Sequence, residues 1–164
     1  MQSHAGLAMS SSEEDRSRSH EDIWIDDTPV GKGVFAGRPY PVDSIIGEIT
    51  GQLMDDPDYT SEYCIDIEQG RQLEPDAPFR FLNHCCEPNC ELEWSDLLAD
   101  SQVSSQHRVF VIALQDIQAG EELTIDYHWP AEAAIPCYCE SPNCRGWIAD
   151  EFLLENCPPG MLEP

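Results

Sequence analysis

Three thiols stand close together in Cys137-Tyr-Cys139-Glu-Ser-Pro-Asn-Cys144-Arg-Gly, at metal-ligand spacing. Earlier in the chain, Arg80-Phe-Leu-Asn-His-Cys-Cys-Glu-Pro-Asn-Cys90 offers more. A tetrahedral Zn(II) site takes four such side chains as thiolates, so three from the later segment and one from the earlier would complete it. A disulfide framework is the competing reading, favoured by the even count of eight cysteines. The C-x-C spacing, the adjacent Cys85-Cys86 pair and the lack of a secretory pattern favour reduced thiols and zinc in an intracellular compartment. Between the two groups lies Gly120-Glu-Glu-Leu-Thr-Ile-Asp-Tyr127, a short apolar strand pattern that ends in a phenol.

The elements that must position these groups read as short strands separated by turn residues. Ile23–Ile25, Gly33–Ala36 and Ile45–Ile49 come first, and Tyr63–Ile67 and Leu92–Trp94 alternate in polarity. Val109–Ala113 is a continuous apolar run suited to a buried strand. Pro39, Pro41, Pro57, Pro75, Pro78 and Pro88 exclude long helices across them. Short helical stretches are expected around Leu97–Ser101 and Asp150–Leu154, with a polar loop over Ser95–Gln106. The expectation is a single β-rich domain with a cysteine-bearing tail. Residues 1–20, rich in Ser, Glu and Asp, read as a disordered leader, and residues 158–164 as a loose end.

Charge narrows the partners. The chain has 32 acidic against 8 basic residues, a net charge of −24. No basic patch exists to release counterions from phosphates, so direct nucleic-acid binding is not expected. A lysine-rich protein segment would be steered in at low salt, whereas the plain alternative is a solvated acidic surface. No apolar run approaches the length of a membrane span.

Together these pieces resemble a SET domain followed by a post-SET zinc segment, the catalytic unit of protein-lysine methyltransferases. Arg80–Cys90 is similar to the family's R-F-[IL]-N-H-[SC]-C-x-P-N-C signature, and Gly120–Tyr127 to its G-E-E-L-T-x-D-Y strand. Gly31-Lys32-Gly33 matches the G-x-G entry motif, and Cys137-x-Cys139-x4-Cys144-Arg-Gly the post-SET pattern. The resemblance implies a mainly β fold of several small twisted sheets, a threaded C-terminal segment and a short zinc-binding tail. It divides the chain into a SET domain over 21–130, a post-SET segment over 131–149 and a tail over 150–164. It further implies S-adenosylmethionine as methyl donor, Zn(II) as structural metal and a lysine-bearing protein, histone-like or otherwise basic, as substrate. A eukaryotic source would place the enzyme at chromatin and a prokaryotic one in the cytoplasm.

The resemblance also assigns residues. Tyr127 is the catalytic residue, its hydroxyl orienting the amine at the meeting point of donor and lysine. Gly31, Lys32, Gly33, Arg80, Asn83, His84, Tyr127 and Trp147 form the cofactor site, with Asn83 on the amino-acid end and the His84 backbone on adenine. Lys32 itself points to solvent. Asn83 and His84 equally suit a structural role pinning the threaded loop. Arg80 pairs either with the cofactor carboxylate or with an internal acid, and Trp147 either lies against adenine or covers the zinc site. Cys86, Cys137, Cys139 and Cys144 are the zinc ligands, Cys86 being chosen over Cys85 by the family pattern.

Two positions depart from that pattern. Glu48-Ile49-Thr50-Gly51-Gln52 stands where many members have E-Y-x-G-E, so Ile49 replaces a phenol, and Tyr63 is a candidate to enter the channel instead. Ile125 occupies a position usually held by Phe or Tyr, which implies tolerance of di- or trimethylation. Two other functions compete: a SET-like module that binds cofactor or peptide without turnover, and a structural zinc protein with no cofactor site.

Overall fold

The structure, a computed structural model, describes residues 22–56, 58–59, 61–67, 71–96 and 107–155. The leader over 1–20, the helix expected around Leu97–Ser101 and the end over 158–164 lie outside the described residues. Four small sheets make up the described fold, as the mainly β expectation requires. Among the described residues no helix is long and apolar enough to cross a membrane.

The first sheet carries the functional strands. β1 (Ile23–Thr28) and β2 (Gly31–Ala36) form a hairpin that runs in register from Ile23↔Ala36 to Thr28↔Gly31. The next sheet contains β3 (Ile45–Ile49), β8 (Cys90–Asp96) and β9 (His107–Ala113) in the order β3-β9-β8. Its central strand β9 is the continuous apolar run, and Val109, Val111, Ile112 and Ala113 are all buried. Flanked on both edges, it buries one face through Val109, Val111 and Ala113, while on the other Ile112 is buried and Phe110 is half-buried under the Arg108 guanidinium. A third sheet orders β4 (Gly51–Met54), β6 (Arg71–Pro75) and β5 (Ile65–Ile67) as β4-β6-β5. β5 is shorter than the alternating Tyr63–Ile67 pattern, because Glu62 and Tyr63 form a turn.

The strand β10 (Glu122–Ile125) completes the first sheet between β2 and the two-residue β7 (Asn83–His84), in the order β1-β2-β10-β7. It runs antiparallel to β2 and parallel to β7, with Thr124↔Asn83 and Ile125↔His84 opposed. Beyond the ladder, Cys85 N–H donates to the Ile125 carbonyl at 3.0 Å. The buried Asn89 acts as an extra neighbour: its amide donates to the Glu122 carbonyl at 2.8 Å and its Oδ1 accepts the Thr124 N–H at 2.9 Å. Its own carbonyl accepts the Leu114 N–H. Residues 83–89 therefore close along β10, and a buried polar side chain is kept satisfied.

The core behind these strands joins Val34, Ala36 and Leu123 of the first sheet, and Tyr40 and Ile117 of an isolated bridge beside it, to Val109, Val111 and Cys90 of the second. The tail is a small pairing of β11 (Ile135–Pro136) with β12 (Trp147–Ile148), followed by the helix Glu151–Glu155. Among the buried hydrophobic residues, only Ala131 and Ala149 come from residues 131–150. A segment with so little apolar burial needs another source of order.

A cysteine cluster beside a tyrosine-lined cleft

The tail's order comes from its thiols. Cys86, Cys137, Cys139 and Cys144 bring their Sγ atoms within 4.8 Å of one another. Cys86 Sγ lies 3.7 Å from that of Cys137 and 4.0 Å from that of Cys144. Four sulfurs bound tetrahedrally to zinc at ~2.3 Å stand about 3.8 Å apart, so the donor set fits that ion. Backbone N–H groups already point at it, from Arg145 to Cys86 Sγ and from Gly146 to Cys144 Sγ, both at 3.4 Å. Burial pushes the Cys86 and Cys137 thiols up. Burial also acts against the Cys139 thiolate, but hydrogen bonds from the backbone and from Ser141 outweigh it and bring that thiol down to about 5. A pocket of thiols in which hydrogen bonding favours a thiolate suits a thiophilic cation. Cys85 stays out of the cluster, its Sγ directed at the Glu87 carbonyl at 3.3 Å. None of the seven described cysteines forms a disulfide.

The knuckle closes where β11 and β12 pair, and Gly146 sits there at φ +79 with open space around its Cα. A side chain at that φ is strained, so this turn favours glycine. Polar contacts also tie the tail to the domain, among them Asp150, whose N–H donates to the Trp129 carbonyl at 2.9 Å. Asn143 meets the Glu87 carboxylate through its side-chain amide at 2.6 Å and its backbone N–H at 3.2 Å. Arg145 forks onto Asp126 at 2.6 and 2.9 Å, with only 14% and 10% of the two side chains exposed. Burial alone would raise the Asp126 carboxyl, but the Arg145 hydrogen bonds hold it below its ordinary value. Removing one partner of such a pair strands a desolvated charge. Arg145→Met is therefore expected to cost about 3 kcal/mol of stability, read as a lower midpoint in urea unfolding of the zinc-loaded protein.

Asp126 precedes Tyr127, and the pair ends β10. The Tyr127 backbone N–H donates to Nδ1 of His84 at 3.3 Å, and its hydroxyl donates to the Leu82 carbonyl at 2.8 Å. Burial pushes the phenol up to about 12, so it stays protonated near neutrality. Burial likewise lowers His84 to about 4, against the opposing pull of Asp126, and keeps the imidazole neutral. The Tyr127 ring lies 5.4 Å from that of His84 and 5.2 Å from that of Trp129.

Tyr127 faces a cleft of about 1040 Å³, whose walls include Tyr63, Arg80, Leu82, Ile125 and Trp129. Arg80 places its guanidinium 4.4 Å from the Tyr63 ring centre and 3.4 Å from Glu74, so the internal acid is its partner here. Ile49 is buried opposite Val109 and does not line the cleft, whereas Tyr63 does. Asn83 gives its amide hydrogens to the Lys32 carbonyl at 3.0 Å and to Glu122 Oε1 at 2.7 Å. This links the G-x-G segment to the Asn-His pair. At Gly33, an added Cβ would stand 2.5 Å from that same Glu122 oxygen and 2.7 Å from the Thr28 methyl. Glycine there makes room for the carboxylate that Asn83 holds. Gly31, at φ +124, borders open space. Lys32 is exposed and pairs with Asp27 at 3.4 Å. Trp147, half-buried on β12, faces Pro136 across the tail's ladder.

Four participants do not stand out in the sequence. Trp129 stands two residues beyond Tyr127, and the turn at His128, with φ 48, lies between the two rings, a bend that no linear pattern announces. Arg145 and Asp126 sit inside quoted motifs, but nothing in a linear pattern pairs them. Asn89, likewise within a motif, gains its role only when β10 arrives beside it.

Comparison with known proteins places this geometry among others. Residues 31–128 match the SET domain family. Over 135 residues, 71% of the chain, it is 40% identical to "Histone-lysine N-methyltransferase, H3 lysine-4 specific" of Eremothecium gossypii. Over 137 residues, 72% of the chain, it is 32% identical to "Histone-lysine N-methyltransferase ash1" of Drosophila melanogaster. These matches cover 13% and 6% of the two relatives, so the chain spans a small part of their length. The solved structure of KRYPTONITE in complex with mCHH DNA, H3(1-15) peptide and SAH superposes with a TM-score of 0.63 at 25% identity. That match covers 77% of this chain and 29% of the other.

Proposed function

The chain belongs to the SET domain family, and from that membership we propose that it is a protein-lysine N-methyltransferase using S-adenosylmethionine as donor. The observation that carries the proposal is the convergence on one end of β10. Tyr127 opens into the cleft on one side and is bonded on the other to Leu82 and His84, the residues that flank Asn83. The relatives' names, and the peptide and SAH held by the solved neighbour, support the same reading.

When bound, S-adenosylmethionine supplies a methyl group on a sulfonium, which needs an uncharged amine aligned with it. Gly31, Lys32 and Gly33 through their backbone, together with Asn83, His84 and Trp147, are proposed to hold it. The open space beside Gly31 and the half-buried indole on the zinc tail leave room and an apolar face for that purpose. Arg80, engaged by Glu74 and Tyr63, is assigned to the cleft wall instead. The Tyr127 hydroxyl spends its hydrogen on the Leu82 carbonyl. Its oxygen lone pairs are then directed at acceptor work, toward an amine N–H or a polarised C–H. The apolar walls from Leu82, Ile125 and Trp129 exclude water and lower the pKa of an entering lysine toward its reactive neutral form.

A basic segment is the proposed substrate. Glu62, Asp66 and Glu91 line the cleft, and its Arg80 is already engaged. Asp66 receives the Gln72 amide at 3.0 Å, and Gln72 Oε1 is buried with no partner among the described residues. A carboxylate beside an unused acceptor suits an arginine or lysine flanking the target. Asp66→Asn is expected to raise KM for a basic peptide about three- to fivefold with little change in kcat, an effect that fades as salt is added.

Ile125 decides the product. It is buried on the cleft wall and carries no group to hold a water in methyl space. Mass spectrometry of a reacted peptide should therefore show di- and trimethyl-lysine, and products that stop at monomethyl-lysine would refute this. The function itself is tested by incubating the protein with labelled donor and lysine-containing basic peptides. Calorimetry with S-adenosylmethionine runs alongside. Binding without labelling would leave a binding module, and neither would leave a structural zinc protein.

A further inference from the structure

The His84 imidazole has no part in the proposed transfer, whose cofactor contact uses only its backbone. Yet it lies with 1% of its side chain exposed, wedged between the cysteine cluster and Tyr127. Nδ1 meets the Tyr127 backbone N–H at 3.3 Å, and Nε2 lies 3.4 Å from Cys86 Sγ. A neutral imidazole has one donor and one acceptor nitrogen. The Tyr127 amide can only donate, so Nδ1 is the acceptor and Nε2 carries the hydrogen. Asp126 Oδ1 also approaches Nδ1, at 3.5 Å, but its carboxylate is engaged by both arms of Arg145. Protonating Nδ1 would instead orphan the Tyr127 N–H, which buried backbone donors avoid. On the other side a metal-bound thiolate is an acceptor, which suits an Nε2–H.

We propose that the His84 side chain is a strut between metal and reaction site. It donates Nε2–H to the zinc-bound Cys86 thiolate and accepts the Tyr127 N–H at Nδ1. A second path runs beside it: the Arg145 N–H also reaches Cys86 Sγ at 3.4 Å, while its guanidinium grips Asp126. Cys86 is thus the ligand through which the tail's metal bears on both residues that end β10. His84 is a positioning residue in this arrangement. The inference rests on Cys86 as zinc ligand and on Tyr127 as the transfer-site tyrosine.

Outer bonds to metal ligands tune affinity by about 10–100-fold, and a bond to a ligand sulfur also shifts its charge-transfer absorption. Two substitutions separate the two nitrogens. The shorter His84→Asn reaches the Nδ1 position and leaves Cys86 without its donor. The longer His84→Gln reaches the Nε2 position and keeps an N–H on the sulfur. With Co(II) as probe in the full chain, His84→Asn is expected to weaken metal retention against a chelator about tenfold and to shift the sulfur-to-cobalt band. His84→Gln should stay near wild type in both. Equal behaviour of the two variants, either both unchanged or both weakened alike, overturns the strut. Should neither variant fold, nitrogen NMR of the zinc-loaded wild type decides. A protonated Nε2 with a bare Nδ1 supports the strut, and a proton on Nδ1 overturns it. None of these readouts needs methyl transfer, so failure of the strut is distinguishable from failure of the transfer reading.

Discussion

Tyr127→Phe is expected to lower kcat for the proposed lysine methylation on the order of 10²-fold and to leave zinc retention unchanged. The substitution removes one oxygen from the cleft wall and nothing else. That oxygen is fixed because its hydrogen is committed to the Leu82 carbonyl at 2.8 Å, while the ring is held between His84 and Trp129. A reacting group misplaced by about 1 Å loses roughly 10²-fold in rate, which is the scale expected when an orienting acceptor disappears. Stability falls too, by about 1–2 kcal/mol, because the Leu82 carbonyl loses its donor. Steady-state kinetics on a basic peptide, beside a urea melt, separates the two effects. Turnover equal to wild type would take Tyr127 out of the reaction.

Stripping the metal has the second large effect. The tail buries little beyond Ala131 and Ala149, and it is held by four thiols, the Arg145–Asp126 fork and the Asn143–Glu87 contact. Structural zinc contributes on the order of 10 kcal/mol in small sites, far more than those polar contacts offer. A strong chelator, or Cys144→Ser, is expected to release residues 131–150 and to weaken S-adenosylmethionine binding by roughly 10²-fold or more. The sheet core should persist, because Val34, Val109, Val111 and Leu123 pack without help from the tail. Calorimetry before and after chelation, with far-ultraviolet circular dichroism as control, checks both halves. Cofactor binding that survives full metal removal would show that the tail is not part of the pocket.

The most apolar pieces of the fold were the most legible ones. Ile45–Ile49 and Val109–Ala113 announce themselves because β-branched residues bury as strands whichever partner they find. β4 (Gly51–Met54) and β6 (Arg71–Pro75) did not, since mixed polar sequences become strands only by pairing with each other. Asn83–His84 is shorter still, and no periodicity can be read from two residues.

The candidate site divides along the same line. Sequence alone determined the chemical inventory: four thiols at ligand spacing, a phenol at a strand end, an Asn-His pair and a large acidic excess. Residue type and local spacing are enough to specify those. Only the tertiary structure decided that Arg145 reaches Asp126, that Arg80 turns to Glu74, that Tyr63 rather than Ile49 faces the cleft, and that His84 bridges Cys86 and Tyr127. Each of these depends on strands far apart in the chain coming into register, and the free energy that sets the register is spread over the whole buried core.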